Sequence, residues 1–194
     1  MISKLSRLVV ENLLKIICEK IIINNILIVN KNNKFSGVIN ELYIKAESII
    51  FNKINISYID IKISNLVYRF AFNKKYFIDN SYALINIRLT RDNINKTLSN
   101  HKWKSLKTSI ESFISMSFQS VEIYNKSIYF TSSDGLSNKN IDYNLQYDNN
   151  SISLVNNINQ EKLSIFNDKN IIVKNLFFFE SHIELEMVSK ITFN

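Results

Sequence analysis

The sequence contains two glycines, no proline, one cysteine and two histidines, and each scarcity excludes a class of chemistry. Walker and Rossmann phosphate loops need several closely spaced glycines, which Gly37 and Gly135 cannot supply. The single Cys18 excludes a disulfide framework and a cysteine-based zinc site, and we expect it to be a buried thiol. His101 and His182 lack the clustered ligands of a metal site. We therefore predict no enzyme activity, no cofactor and no metal.

Long hydrophobic runs are also missing. The longest, residues 21–23, is far shorter than the roughly 20 apolar residues that cross a bilayer as a helix. Charged residues interrupt the first 23 positions, whereas a signal peptide needs an unbroken apolar core. We therefore expect neither a signal peptide nor a transmembrane helix, and a protein that stays in the compartment where it is made.

Isoleucine, asparagine and lysine are abundant instead, with 33, 29 and 20 copies. AT-rich codons specify these residues, so the composition points to an AT-rich genome such as that of an organelle or a reduced bacterium. The net charge of +7 is uneven, because residues 1–110 carry 18 Lys or Arg and 7 Asp or Glu, whereas residues 111–194 carry 6 and 10. The basic part favours an anionic partner, either a lipid surface or a nucleic acid. Codon bias is the alternative explanation of the lysines.

Residues 2–23 have apolar side chains at helical spacing and polar ones on the other side. This pattern predicts a helix, which the β-branched residues weaken beyond Lys20. We predict that the apolar face of residues 2–20, including Leu13 and Ile17, packs on a sheet and does not enter a bilayer.

Residues 42–64 form an alternating stretch that would span roughly 75 Å as one straight strand. The apolar positions change from even to odd numbers along this stretch. Such a change requires a bend, a bulge or a turn, which we place at Asn52-Lys53 and at Tyr58-Ile59. The stretch predicts a long, strongly curved antiparallel sheet.

The remaining pattern changes period twice. Alternation over residues 83–89 predicts a strand, and Thr90 stands where a helix N-cap belongs. Helical spacing from residue 106 to about 118 predicts a further helix, and strand patterns return from Val121 onward. The order predicts one α+β domain, residues 1–194, in which a long, curved antiparallel sheet wraps around two long amphipathic helices.

Two stretches resemble a known family. Residues 35–68, FSGVINELYIKAESIIFNKINISYIDIKISNLVY, resemble the G-x-I-x-x-L-x-V-x-A segment of the LmeA-like lipid-binding proteins of cyanobacteria and plastids. Residues 85–103, INIRLTRDNINKTLSNHKW, are similar to their strand followed by L-T-x-x-D-L-N-x-x-L. The matching residues are Leu89, Thr90, Asn95 and Leu98. Asn93 stands where the family has Asp, which should weaken the helix start slightly, and Ile94 where it has Leu.

The resemblance implies a fold of the tubular lipid-binding (TULIP) superfamily, in which a twisted sheet wraps a helix and leaves an apolar groove. It implies non-enzymatic binding or transfer of a phospholipid or other acyl lipid at a peripheral anionic membrane, in a plastid or a cyanobacterial cytoplasm. The alternative is a basic, RNA-associated organellar protein. The predicted groove residues are Ile61, Ile63, Phe113, Met116 and Phe130. Close packing of these residues in a core is the alternative interpretation.

Overall fold

The computed structural model of the protein describes residues 2–29, 38–69, 77–79, 81–132 and 143–191. Its helices are α1 (Ile2–Ile17), α2 (Arg91–Leu98) and α3 (Lys104–Ile114), with a 3₁₀ turn at His101–Trp103. Its strands are β1 (Lys20–Val29), β2 (Val38–Phe51), β3 (Ile54–Arg69), β4 (Phe77–Asp79), β5 (Ser81–Thr90), β6 (Ser120–Tyr124), β7 (Ser127–Thr131), β8 (Tyr143–Asp148), β9 (Ser151–Asn156), β10 (Lys162–Asn167), β11 (Ile171–Phe178) and β12 (His182–Ile191). The α+β class is confirmed, and antiparallel strands dominate it.

The strands form two sheets, where the sequence led us to expect one. Sheet A has the order β1-β2-β3-β5-β12-β11, and β4 pairs with β3. Sheet B has the order β10-β9-β8-β7-β6. The last two strands of the chain therefore return to the sheet that the first strands begin. The helices expected between the two groups of strands are present, but α2 and α3 have only 8 and 11 residues.

The alternating stretch is a long hairpin of β2 and β3. Its predicted turn at Asn52-Lys53 is confirmed, and both residues have positive φ angles of 52° and 66°, as two-residue hairpin loops of type I′ require. At Tyr58-Ile59 the strand does not turn. The change of parity lies just before it, between Ile56 and Ile59, because Ile59 packs against the buried cluster that contains Ile56 although the two residues are three positions apart. Ser48 on the partner strand, with a φ of 51°, marks the same irregularity.

Helix α1 ends at Ile17, six residues before the predicted end, so the helix prediction was too long. The β-branched residues that follow belong to β1, which pairs with β2 from Lys20 opposite Ile50 onward. Strand β1 therefore begins within the stretch that was predicted to be helical. Branched side chains fit a pleated strand better than a helix once a partner strand supplies hydrogen bonds.

The predicted N-cap at Thr90 is confirmed. Thr90 Oγ1 accepts a hydrogen bond from the Asn93 backbone N–H, while Asn93 Oδ1 accepts one from the Thr90 N–H at 3.1 Å. This reciprocal capping box satisfies two first-turn donors. Asn93, expected to weaken the helix start, therefore contributes to it through its amide oxygen.

Helix α2 connects the two sheets through side chains of its second half. Asn95 donates from Nδ2 to the Val121 carbonyl at 3.1 Å and accepts the Val121 N–H at 2.7 Å. Thr97 Oγ1 accepts the N–H of Asn55 at 2.9 Å. Sheet B starts at β6 and sheet A contains β3, so these bonds fix the ends of both sheets against one helix.

Candidate functional site

One face of sheet A, here called the inner face, is apolar across all six strands. A single row of paired residues runs along the order of the sheet: Ile26, Ile44, Ile61, Ile85, Met187 and Val173. The neighbouring row places Leu42 opposite Ile63 and Ile63 opposite Ala83. Alternation along each strand puts these side chains on the same side.

The inner face is covered at its two ends by different elements. At the β1–β2 end, Val10 and Leu14 of α1 pack against buried residues that include Ile44. At the β12–β11 end, buried Ile152 of sheet B packs with Val173 and Met187. The row is buried at both ends, whereas Ile61 and Ile85 in its middle are only partly buried.

We call Ile59, Ile61, Ile63, Ile85 and Ile87 the central inner face. All five lie on β3 or β5, and all five are partly buried. Five isoleucines on adjacent strands would normally be fully buried in a closed core. The central inner face is therefore an apolar strip that lies between α1 at one end of sheet A and sheet B at the other end.

The opposite face of sheet A carries ion pairs between its strands, together with exposed apolar residues such as Leu27 and Ile172. Arg88 Nη2 lies 2.7 Å from Glu184 Oε1, and Lys45 Nζ lies 3.3 Å from Asp60 Oδ2. The hydrogen bond from Lys45 to Asp60 raises the pKa of Lys45. These ion pairs make the centre of this face less suited to a hydrocarbon ligand than the central inner face.

The structure divides the five predicted groove residues into two groups. Ile61 and Ile63 lie in the central inner face. Phe113, Met116 and Phe130 lie elsewhere, in a cluster that joins α2 and α3 to sheet B. Phe130 is 3% exposed there. Its ring packs edge-on against Phe118 at 4.9 Å and Tyr143 at 5.5 Å. The five therefore do not line one site, and their contact with lipid stays a prediction.

Helix α1 faces the sheet with a different side from the one predicted. Leu13 is 55% exposed and Ile17 is 57% exposed, so the prediction that they pack on the sheet was wrong. Val10 and Leu14 make that contact instead. Consecutive residues of a helix are about 100° apart, so the sheet touches the flank of the apolar stripe and leaves its middle in solvent.

We call the exposed middle of this stripe the α1 apolar face. Its residues, each more than half exposed, are Leu8, Val9, Leu13, Ile16 and Ile17. Helical geometry places these residues of three successive turns along one side of the helix, over about 14 Å from first to last. Single exposed apolar residues are ordinary, but a contiguous group of five is typical of an interaction surface.

The end of the β2–β3 hairpin lies beside the end of α1. The Glu19 N–H donates to the Ile50 carbonyl at 2.8 Å, and the Lys53 N–H donates to Glu19 Oε1 at 3.1 Å. Phe51, in the same hairpin end, is an exposed aromatic residue. This side chain adds to the apolar groups available near the C-terminal end of α1.

The acidic groups next to the α1 apolar face are neutralised. Glu11 accepts a hydrogen bond from Lys15 Nζ at 2.7 Å, which lowers the pKa of Glu11. Glu19 forms an ion pair with Lys53, whose hydrogen bond lowers the pKa of Glu19. Both carboxylates are therefore held ionised and paired with lysine at neutral pH.

Cations outnumber these two acids on α1, the start of β1, the hairpin end and the 3₁₀ turn. They are Arg7, Lys15, Lys20, Lys53 and Lys102, the last of which bonds to Asn52 in the hairpin turn. These five cations together with Glu11 and Glu19 sum to a net charge of +3. The surface therefore combines exposed hydrocarbon with positive charge.

The described ranges contain no group of three or more His, Cys, Asp or Glu residues that could hold a metal ion. Cys18 is buried, and burial raises the pKa of its thiol, so it carries little of the nucleophilic thiolate. His182 stacks on Phe179 with ring centroids 4.6 Å apart. These residues have packing roles.

A separate open cleft of about 420 Å³ lies where β8 of sheet B meets β11 of sheet A. Its walls include Leu145, Leu176 and Phe178, with Lys126 and Asn144 as polar groups. Sequence patterns gave no signal for this cleft, because it depends on how the two sheets meet. It is distinct from the central inner face, which lies on β3 and β5.

None of the helices in the described part of the chain has the length and apolar content to cross a membrane. Comparison with protein-family models, with curated proteins and with solved structures gives no match for this chain.

Proposed function

We propose that the protein binds an acyl lipid on the central inner face of sheet A, works at an anionic membrane surface and catalyses no reaction. The observation that carries this proposal is the row of paired residues across sheet A. The row is buried where α1 or sheet B covers it and partly open at Ile61 and Ile85. A hydrocarbon chain placed over these residues would remove their remaining apolar surface from water.

The dimensions of the inner face suit an acyl chain. Neighbouring strands lie about 4.8 Å apart, so the three intervals from β2 to β12 cover roughly 14 Å. The hydrocarbon in one leaflet of a bilayer is about 15 Å deep, half of the approximately 30 Å core. An extended acyl chain can therefore lie across these strands, and each methylene that it buries contributes about 0.8 kcal/mol.

The finer fold, a curved sheet wrapped around helices as in tubular lipid-binding proteins, is part of the same proposal. It is supported by the resemblance of residues 35–68 and 85–103 to the LmeA-like proteins. The position of α1 against the inner face of β1 and β2 is compatible with it. The same groove would also serve transfer of lipid between membranes.

The proposal predicts that lipid accompanies the purified protein. We expect organic extraction followed by mass spectrometry to find acyl lipid at near-stoichiometric amounts, and a fluorescent fatty acid to bind competitively with it. Ile61→Trp should fill the strip and lower fatty-acid affinity by about tenfold or more. Its melting temperature should stay close to that of the wild type, because the new ring occupies open space.

The matched control is Ile172→Trp on β11, since Ile172 is an exposed isoleucine of the same sheet. This variant should keep both fatty-acid affinity and stability. A close-packed strip would give a different result, because Ile61→Trp would then destabilise by about 1–3 kcal/mol through overpacking. Absence of lipid together with a high ratio of absorbance at nucleic-acid to protein wavelengths would favour the RNA-associated alternative.

A further inference from the structure

Helix α1 has two apolar sides with different surroundings. One side, with Val10 and Leu14, packs against sheet A, and the other is the α1 apolar face in solvent. Covering the sheet requires only the first side. The exposed side therefore has no role in the packing of the described chain, and it includes Ile16, which is 78% exposed.

The charges around the α1 apolar face identify the chemistry of its partner. The net charge of the surrounding groups is +3, and both acids, Glu11 and Glu19, already pair with lysines. Such a surface complements a partner that offers hydrocarbon and negative charge together. The interface of a bilayer with anionic headgroups offers both, whereas a nucleic acid offers charge without an apolar layer.

A second copy of the chain is a poorer partner for this surface. A twofold dimer through the α1 apolar face would place the same cationic group against its symmetry mate. The two sets of positive charges would repel each other at short range. Negative lipid headgroups would instead lie beside Lys20, Lys53 and Lys102.

We infer that α1 is an interfacial anchor that lies parallel to an anionic lipid surface and inserts the α1 apolar face among the headgroups. This inference rests on the proposed function and names the surface that docks. The helix has the composition of such anchors, with nine apolar residues among its 16 and polar or basic residues on the other side. Phe51 would enter the same interface beside the end of the helix.

The test uses vesicles of equimolar phosphatidylglycerol and phosphatidylcholine, with vesicles of phosphatidylcholine alone for comparison. Cosedimentation should show binding to the anionic vesicles that weakens with salt, since the Debye length falls from about 10 Å at 0.1 M to about 3 Å at 1 M ionic strength. Ile16→Gln should weaken this binding by about tenfold. Ile158→Gln is the matched control, because Ile158 is 70% exposed and lies in the loop between β9 and β10.

A tryptophan reporter locates the helix directly. Ile16→Trp adds a second tryptophan to Trp103, and its emission should shift to shorter wavelength with anionic vesicles and be quenched by brominated lipid. Ile158→Trp should show neither change. Equal vesicle binding by wild type and Ile16→Gln, or an unchanged Ile16→Trp spectrum, would overturn the inference.

Fatty-acid binding in the absence of vesicles separates this inference from the proposed function. Ile16→Gln should retain it, because Ile16 lies outside the central inner face. A wild-type protein that binds fatty acid but ignores vesicles would refute the anchor and the membrane role, and it would leave the groove intact. A protein that docks through Ile16 but binds no fatty acid would refute the groove alone. Light scattering provides a further check. If the wild type has twice the monomer mass, Ile16→Gln abolishes this doubling and neither protein binds vesicles, the α1 apolar face is a dimer interface and the anchor is overturned.

Discussion

Two adjacent leucines of α1 provide a stringent test of which side of the helix meets the sheet. Leu13 is 55% exposed, so less than half of its side chain is withdrawn from water. Full burial of a leucine contributes about 1.5–3 kcal/mol, and the buried share of Leu13 therefore contributes about 0.7–1.4 kcal/mol. Alanine recovers a few tenths of this through its higher helix propensity. We expect Leu13→Ala to cost about 1 kcal/mol or less.

Leu14 should respond differently to the same substitution. Its side chain packs against the cluster of Ile26, Leu42 and Ile44, all buried. Leucine-to-alanine changes in cores cost about 2–5 kcal/mol, and the partial burial of Leu14 places it near 2 kcal/mol. Urea unfolding followed by circular dichroism measures both variants, with the slope of the transition compared to confirm that each unfolds in the same way.

The comparison is decisive because the two variants share the helix, the residue type and the atoms removed. A larger loss of stability from Leu13→Ala than from Leu14→Ala would mean that the apolar stripe faces the sheet after all. The α1 apolar face would then not exist as a surface, and the proposed anchor would fall with it. Equal losses of about 2 kcal/mol would mean that both sides are covered.

Two further predictions concern single side chains. Asn95→Ala should lower the free energy of unfolding by about 1–3 kcal/mol, because it leaves the Val121 N–H and carbonyl without their partner. The control is Asn86→Ala, at an exposed position on β5, which should change the free energy of unfolding by less than about 0.5 kcal/mol. Urea unfolding measures both variants. The hydrogen bond from Lys53 lowers the pKa of Glu19, so the ionised carboxylate stabilises the fold at pH values above the ordinary pKa of 4.5. This contribution is lost as the pH falls through the lowered pKa of the folded state. Glu19→Gln should therefore flatten the acid side of the stability profile measured by urea unfolding; an unchanged acid slope would refute the assignment.

Local signals predicted those parts of the fold that local physics decides. The hairpin turn at Asn52-Lys53 and the N-cap at Thr90 follow from a few neighbouring residues, and both are confirmed. Strand alternation after Val121 likewise depends on adjacent residues. The capping role of Asn93 was within reach of the same reasoning, since an amide oxygen at the N3 position can accept the N-cap N–H.

The end of α1 could not be predicted because it depends on a distant strand. Residues 21–23 are compatible with either a helix or a strand by themselves. Pairing of Lys20 with Ile50, thirty residues away, supplies the hydrogen bonds that settle the choice. Intrinsic propensity is a weak influence when a tertiary partner is available.

The division into two sheets limited what could be predicted about the site. The odd or even position of a residue along a strand indicates which face of the sheet its side chain lies on. This rule correctly placed Ile61 and Ile63 on the same face. Parity does not indicate which sheet a strand joins. Phe130 belongs to sheet B, and Phe113 covers that sheet from α3, so they could not share a groove with residues of β3.

Helix α1 borders the proposed groove with one side and forms the proposed anchor with the other, so membrane docking would bring the groove close to the lipid. The flank of α1 with Val10 and Leu14 borders the inner face near Ile61, while the α1 apolar face points into solvent. Docking through the exposed side would bring the border of the central inner face within a helix diameter, about 10 Å, of the lipid headgroups. An acyl chain that leaves the bilayer would then pass along apolar side chains of a single helix and would not cross a wide layer of water. Exposure of the chain to water would cost about 0.8 kcal/mol per methylene. A helix that packed its whole apolar stripe on the sheet, as its sequence suggested, would close this route.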